Sequence, residues 1–197
     1  MELIVLATRN EGKARELIPL LHGVAERFET LRAHPEIVLP PEIGSTYSEN
    51  AIAKALAVYD AIGVPALGDD SGLEVDALGG APGLRSARYA GEEASDRANN
   101  DKLLHALEDV PPERRTARFK CSLALIRGPG DWVLVDGVCE GVILEAPRGS
   151  GGFGYDPLFV PSGETITFAE LPDKRKNALS HRARAATALR QALSSEG

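Results

Sequence analysis

Residues Gly68 to Gly91 read GDDSGLEVDALGGAPGLRSARYAG, a run that crowds paired carboxylates, glycines and arginines more densely than an ordinary loop requires. The apolar stretch Val64-Pro65-Ala66-Leu67 just before it reads as a short buried strand, and Ser71-Gly72 reads as a sharp turn. Asp69 and Asp70 are therefore expected at a strand end beside a loop. Two readings fit them there. A hard divalent cation such as Mg²⁺ needs only one or two protein carboxylates when phosphate oxygens and water complete its octahedron. A solvated Asp-Asp turn whose side chains cap backbone amides fits the same residues.

Working outward, the 197 residues suit one large domain or two small lobes, and 43% apolar content is ample for a packed core. Acidic residues number 29 against 22 Lys and Arg, a formal charge of -7, which repels nucleic acid and anionic membranes. A phosphate-bearing ligand must therefore meet basic residues concentrated locally. Cys121 and Cys139 fall in strand-like runs and no signal-like or long apolar segment is present, so a reducing cytoplasm is expected, although the sequence leaves a Cys121–Cys139 bridge open. No further Cys or clustered His offers a tetrahedral thiol-metal set.

Glu2 to Ala7 reads as a strand, followed by a loop at Thr8-Arg9-Asn10 and a helix over Gly12 to Leu21. Thr46 and Glu49 have the spacing of a capping box, and Ile52, Ala53, Leu56 and Tyr59 recur at helical intervals until Gly63-Val64-Pro65. Ala94 to Leu107 reads as a third helix, Arg115 to Ile126 and Trp132 to Leu144 as a hairpin around Gly128-Pro129-Gly130, and Ser180 to Leu193 as a terminal helix. This order indicates a mixed α/β fold, with two lobes around a cleft, rather than a regularly alternating parallel sheet.

Four further constellations could carry chemistry. Thr8-Arg9-Asn10-Glu11-Gly12-Lys13 joins the first strand to its helix and offers backbone amides, a hydroxyl and a lysine as a phosphate cradle, although Asn10 could merely cap the helix. Glu42 lies in the loop before the Thr46 helix, free to reach a metal, whereas Glu49 is expected in the capping box; Lys54 reads equally as a phosphate contact or a solvated charge. Gly152-Phe153-Gly154-Tyr155-Asp156 offers flat rings and an acceptor to a nucleobase, or a glycine loop with core aromatics. Finally, Lys174 to Arg182 is a basic cluster in an acidic protein; Arg182 lines up with Ala186, Leu189 and Leu193, which aims its guanidinium inward, while His181 stays open between packing and binding.

The motifs Thr8-x-Asn10-x-x-Lys13, Glu42-x-Gly44-x-Thr46-Tyr47-x-Glu49-Asn50-Ala51, Asp69-Asp70-Ser71-Gly72-Leu73, Gly79-Gly80-Ala81-Pro82-Gly83, Ser86-Ala87-Arg88-Tyr89, Gly152-Phe153-Gly154-Tyr155-Asp156-Pro157 and Ser180-His181-Arg182 occur in order along essentially the whole chain. Together they resemble the inosine/xanthosine triphosphate pyrophosphatases, which remove deaminated purine nucleotides. The resemblance implies one domain over residues 1–197 made of two lobes, with an elongated mixed sheet and a central nucleotide-binding cleft. It further implies a homodimer and Mg²⁺-dependent hydrolysis of ITP, dITP and XTP to the monophosphate and pyrophosphate. By position, Thr8, Arg9, Asn10, Glu11, Gly12 and Lys13 would contact phosphates, Glu42 and Asp70 the metal, and Asp70 would also orient the attacking water. Ser71, Phe153, Gly154, Tyr155, Asp156, Lys176, His181 and Arg182 would contact the nucleotide, with Lys54 and Lys176 joining Lys13 around the phosphates and His181 or Arg182 donating to a purine 6-oxo group. Arg9, Pro41 and Tyr47 depart from the family pattern, and Pro41 leaves Glu42 as the ligand in its loop. A septum-inhibition-type nucleotide pyrophosphatase and a non-catalytic nucleotide sensor are the alternatives.

Overall fold

Ile4, Val5 and Leu6 are completely buried, so the first strand has no solvent face, as expected of a strand covered on both sides. In the computed structural model, which describes residues 1–195, this strand is β1 (Leu3–Leu6). It is followed by α1 (Glu11–Leu20), β2 (Arg27–Thr30), α2 (Tyr47–Ile62) and β3 (Ala66–Val75). Then come α3 (Asp96–Ala106), the long strands β4 (Thr116–Gly128) and β5 (Asp131–Ile143), β6 (Phe159–Pro161), α4 (Asp173–Leu179) and α5 (His181–Ser194). The six strands form one mixed sheet in the order β2-β1-β3-β4-β5-β6. β1 runs parallel to both β2 and β3, with Val5 opposite Ala66, and β6 runs antiparallel to β5.

The described chain groups into two compact units, residues 1–70, 121–137 and 182–195 in one and residues 71–120 and 138–181 in the other. In the first, Leu17, Leu20 and Leu21 of the α1 segment and Ala185, Ala186 and Leu189 of α5 pack with Leu67, Cys121, Leu123 and Leu125. A second apolar cluster in the same unit joins Val5, Ala7, Leu31 and Ile37 to Val58 and Ala66. In the other unit Leu73, Val75, Leu103, Leu107, Phe119, Phe159 and Phe168 form the core. Cys121 and Cys139 are both buried free thiols.

The structure changes two expectations. β3 does not stop at Asp70: it continues through Ser71 and Gly72 to Val75, so the two aspartates lie in mid-strand instead of at a strand end. Leu73 and Val75 are fully buried and continue the core beyond the Ser-Gly pair, which holds the chain extended where local turn propensity alone would bend it. α2 keeps its Thr46 cap, whose hydroxyl accepts from Glu49 N–H at 3.1 Å. The Glu49 carboxylate reaches back to the N–H and hydroxyl of Ser45 and also to the backbone N–H of Thr46 itself, as the capping-box spacing expects. The inward face of α2 is Asn50, Ala51, Lys54, Ala55 and Val58, while Leu56 is 40% exposed. The strands β2 and β6 and the short helix α4 carry too few residues, or too polar a sequence, to show a period.

Small residues face inward on α2 because the helix passes close to β3. A Cβ placed on Gly68 would run into the Ala51 carbonyl oxygen, a rigid backbone atom that cannot swing aside. This close approach lets Asn50 and Lys54 reach across to the strand. Gly68→Ala is expected to lower stability by about 1–3 kcal/mol through overpacking, and urea unfolding of the two proteins checks it; equal midpoints would contradict it.

Candidate active site

Successive side chains on a strand point to opposite faces, so burying Asp69 and Asp70 side by side requires a cation on each face of β3. Both are deeply buried, 1% and 4% exposed. On the face that also carries Leu67, Asp69 Oδ2 pairs with Lys13 Nζ of α1 at 2.9 Å and lies 3.6 Å from Arg182 Nη2 of α5. Its other oxygen accepts from the Cys121 thiol at 3.0 Å. Arg182 Nη1 is held in turn by Glu16 at 2.9 Å. Burial pushes the Asp69 carboxyl up, but Lys13, Arg182 and Lys54 outweigh it and hold the group well below the usual carboxylate range. Burial, with Asp69 alongside, pushes the Cys121 thiol well up, which keeps it a protonated donor.

On the opposite face Asp70 Oδ1 accepts from Lys54 Nζ at 3.0 Å and Oδ2 from Asn50 Nδ2 at 3.0 Å, both one helical turn apart on α2. Lys54 Nζ also meets Glu42 Oε1 at 2.9 Å. Burial raises the Asp70 carboxyl, Lys54 and Lys13 pull it back, and the neighbouring Glu42 charge raises it again; the net direction is up. Lys54 is 5% exposed. Burial alone would strip its proton, but Asp70, Glu42 and Asp69 more than compensate and leave its affinity for the proton raised.

The two faces pair their carboxylates differently. Asp69 and Glu16 meet Lys13 and Arg182 on one face of β3, while Asp70 and Glu42 both meet the Lys54 ammonium on the other. Glu42 and Asp70 are hard oxygen donors that already converge on one cation, which fits a divalent ion such as Mg²⁺. Among the described residues no group of three or more His, Cys, Asp and Glu could hold a metal. An ion at Glu42 and Asp70 would thus draw its remaining ligands from water or phosphate oxygens.

The remaining candidates gather in the other unit. Gly152 takes φ +71°, and a Cβ there would collide with Asp156 Oδ2, so the loop closes only around glycine. Asp156 Oδ2 accepts from Phe153 N–H at 2.9 Å and from Lys176 Nζ at 2.5 Å. The Lys176 ammonium lies 5.5 Å from the centres of both the Phe153 and Phe168 rings, a desolvated cation over aromatic faces. His181 stacks on Phe119 with ring centres 4.8 Å apart and planes 12° from parallel. Tyr155 is buried and its hydroxyl donates to Ser86 O at 2.8 Å; burial raises that hydroxyl above the ordinary tyrosine range.

The sequence-derived candidates thus separate by what they touch. Asn10 caps α1, accepting from Lys13 N–H at 3.0 Å, and Thr8 Oγ1 accepts from Asn10 N–H. Arg9 reaches the Ile37 carbonyl at 2.7 Å, and Glu11 pairs with Arg32 on the surface. Gly12 follows in the first turn of α1, and Ser71 is half-buried directly after Asp70 on β3. Lys176 pairs with Asp156 and lies over the Phe153 ring. Tyr155 faces the core. Sequence reasoning missed Asn50, Glu16 and Cys121, and also Asp96 and Asn100, which bond to Gly154. The polar residues Asn50 and Lys54, one turn apart on α2 and preceding a buried strand with two carboxylates, are the signal that could have placed Asn50.

Residues 4–192 match the model of the Ham1 family. A relative in Geobacter sulfurreducens named dITP/XTP pyrophosphatase is 51% identical over 197 residues, covering 100% of this chain and 99% of its own. One of the same name in Vibrio cholerae is 49% identical, covering 98% and 97%. The solved structure of a HAM1 protein from Coxiella burnetii superposes with a TM-score of 0.88 at 41% identity, covering 99% of this chain and all of that one. With the match spanning nearly every residue that builds the two clusters, the chain belongs to the Ham1 family.

Proposed function

We propose that this chain is a pyrophosphatase of deaminated purine nucleoside triphosphates, converting dITP, ITP and XTP to the monophosphate and pyrophosphate. It rests above all on one observation: the half-buried Glu42 and the buried Asp70 converge on the Lys54 ammonium, two hard oxygen donors brought to one point. The names of the relatives, dITP/XTP pyrophosphatase at about half identity over the full length, support the same reading. Residues 1–197 act as one domain of two lobes, and the cytoplasm, with no nucleic-acid or membrane partner, is the expected setting.

Glu42 and Asp70 would hold Mg²⁺, which would neutralise phosphate charge and acidify water there. Lys13 and Lys54, already fixed by Asp69 and Asp70, present ammonium groups to the triphosphate at no cost of reorganisation. The Thr8 to Lys13 segment and Ser71 add backbone and hydroxyl donors. Asp70 orients and polarises the attacking water; a carboxylate that also ligates a metal is a weak base, so the proton the water loses as it bonds passes on to solvent. The water oxygen bonds to phosphorus, the bridging P–O bond of the α–β anhydride breaks, and its electron pair leaves with the other phosphoryl product. Asn50 and Lys54 fix both Asp70 oxygens, so the carboxylate cannot rotate away from that task.

Phe153 supplies a ring face for the base, with Gly154, Asp156 and Lys176 framing it, and His181 and Arg182 donate to a 6-oxo group. Adenine presents a 6-amino group in the same place, which leaves buried donors unpaired; such mismatches discriminate by orders of magnitude. The working form is a homodimer, and sedimentation velocity at micromolar concentration is expected to give twice the mass of the 20.9 kDa chain.

Turnover of ITP, XTP, GTP and ATP with and without Mg²⁺, with pyrophosphate and orthophosphate assayed separately, tests the reading. ITP and XTP are expected to yield pyrophosphate only in the presence of the metal; orthophosphate as the main product would overturn the bond assignment. Asp70→Asn is expected to lose about 10³-fold or more in turnover, the scale of removing a group that stabilises the reacting centre, while retaining its circular-dichroism spectrum. Activity near that of the unaltered protein would remove Asp70 from the mechanism.

A further inference from the structure

The Gly152 to Asp156 loop is built from residues that do not hold a conformation on their own. Gly152 and Gly154 both occupy the left-handed region, at φ +71° and +61°, and Phe153, half-buried, sits between them. One side of Phe153 is fixed locally, since its N–H donates to Asp156 Oδ2. The other side is fixed from outside the loop. Asp96 Oδ2, in the first turn of α3, accepts from Gly154 N–H at 2.6 Å, and Asn100 Nδ2 donates to Gly154 O at 3.0 Å. Residues four apart lie on one face of a helix. That face of α3 therefore grips the two peptide groups on either side of the Gly154 Cα.

The same helix is anchored on its next stripe. Asn99 accepts from Ala90 N–H at 2.8 Å and donates to Ala87 O at 3.1 Å, while Lys102 donates to Tyr89 O at 2.6 Å. The Lys102 ammonium also lies 4.5 Å from the centre of the Tyr89 ring. With Tyr155 tied to Ser86 O, the segment from Ser86 to Ala90, the N-terminal half of α3 and the glycine loop form one hydrogen-bonded frame. Asn100 makes its bond to Gly154 although its own Oδ1 is buried without a hydrogen-bond partner among the described residues. Leaving an acceptor buried and unpaired costs free energy, so the orientation of this amide is set by its grip on the loop.

We propose that Asp96 and Asn100 are positioning residues for nucleobase binding: from one face of α3 they clamp both peptides flanking Gly154 and thereby hold the Phe153 ring ready for a purine. The proposal rests on the reading that the Gly152 to Asp156 loop receives the base. A clamped loop has already lost the freedom that an unclamped one would lose on binding, so the clamp acts on substrate affinity. It leaves the reacting groups around Asp70 alone. Asp96 carries the stronger half of the clamp, because a carboxylate accepting a backbone N–H is a charge-assisted bond.

Steady-state kinetics with ITP, inhibition by inorganic pyrophosphate and thermal melting of Asp96→Ala, Asp96→Asn, Asn100→Ala and Phe153→Ala test it. Asp96→Ala is expected to raise KM about tenfold, the worth of one charge-assisted hydrogen bond, with kcat changing by no more than about twofold. Pyrophosphate, which has no base, is expected to inhibit every variant equally well. Asp96→Asn is expected to recover most of the lost affinity, since its amide oxygen can still accept from Gly154 N–H, and Asn100→Ala to raise KM in the same direction as Asp96→Ala. An unchanged KM in both α3 alanine variants, or a pyrophosphate inhibition constant that rises in step with KM, would overturn the clamp. If Phe153→Ala raises KM and the α3 variants do not, the loop still receives the base and only the clamp fails; if none of them changes KM, the reading of the loop falls as well.

Discussion

Two consecutive carboxylates buried in the middle of one strand are the constraint on which the rest of this molecule depends. The pleat sends Asp69 and Asp70 to opposite faces of β3, and each face must then supply its own positive charge. α1 and α5 meet the first demand with Lys13 and Arg182, and α2 meets the second with Lys54. Gly68 and the small residues Ala51 and Ala55 let α2 come near enough for Lys54 and Asn50 to reach the strand. Helix placement, residue size and charge pairing in this unit are thus consequences of one alternation.

Buried ion pairs are poor stabilisers, because desolvating the charges offsets most of their attraction and apolar residues of similar volume serve as well. Their value here lies in fixing charge before a ligand arrives. On the Asp69 side Cys121 donates to the carboxylate, which holds Lys13 and Arg182 in place. On the Asp70 side two carboxylates meet at the Lys54 ammonium, a convergence of hard oxygen donors that suits a divalent cation. In the proposed reaction the Asp69 side positions and the Asp70 side performs the chemistry. A separate frame in the other unit, built on Asp156, Lys176 and the bracket of α3, orders the aromatic loop.

Much of this was legible in the sequence. Thr46 before a helix, Gly128-Pro129-Gly130 between two strand runs, and Asn10 after β1 are local signals with local causes, and they mark α2, the β4–β5 connection and the start of α1. The candidate residues were found largely through ordered motifs whose combined spacing is far more specific than any one of them. What stayed hidden depends on tertiary contact. Ser71-Gly72 has turn composition but stays extended because Leu73 and Val75 are drawn into a core. Lys54 is inward because β3 offers it a carboxylate, which hydropathy along α2 cannot reveal; the exposed Leu56 pointed to the wrong face. Asp96 and Asn100 serve a loop more than fifty residues away, and no pattern within α3 distinguishes them from solvated polar residues.

The central claim is that Glu42 and Asp70 form half of a divalent-metal site whose other ligands come from phosphate and water. Titration of Mn²⁺ followed by electron paramagnetic resonance, in the presence and absence of inorganic pyrophosphate, measures this without any turnover. The account predicts weak binding to the protein alone, markedly tighter binding once pyrophosphate is added, and loss of that gain in both Glu42→Gln and Asp70→Asn. Pyrophosphate-dependent binding that survives both substitutions unchanged would contradict it.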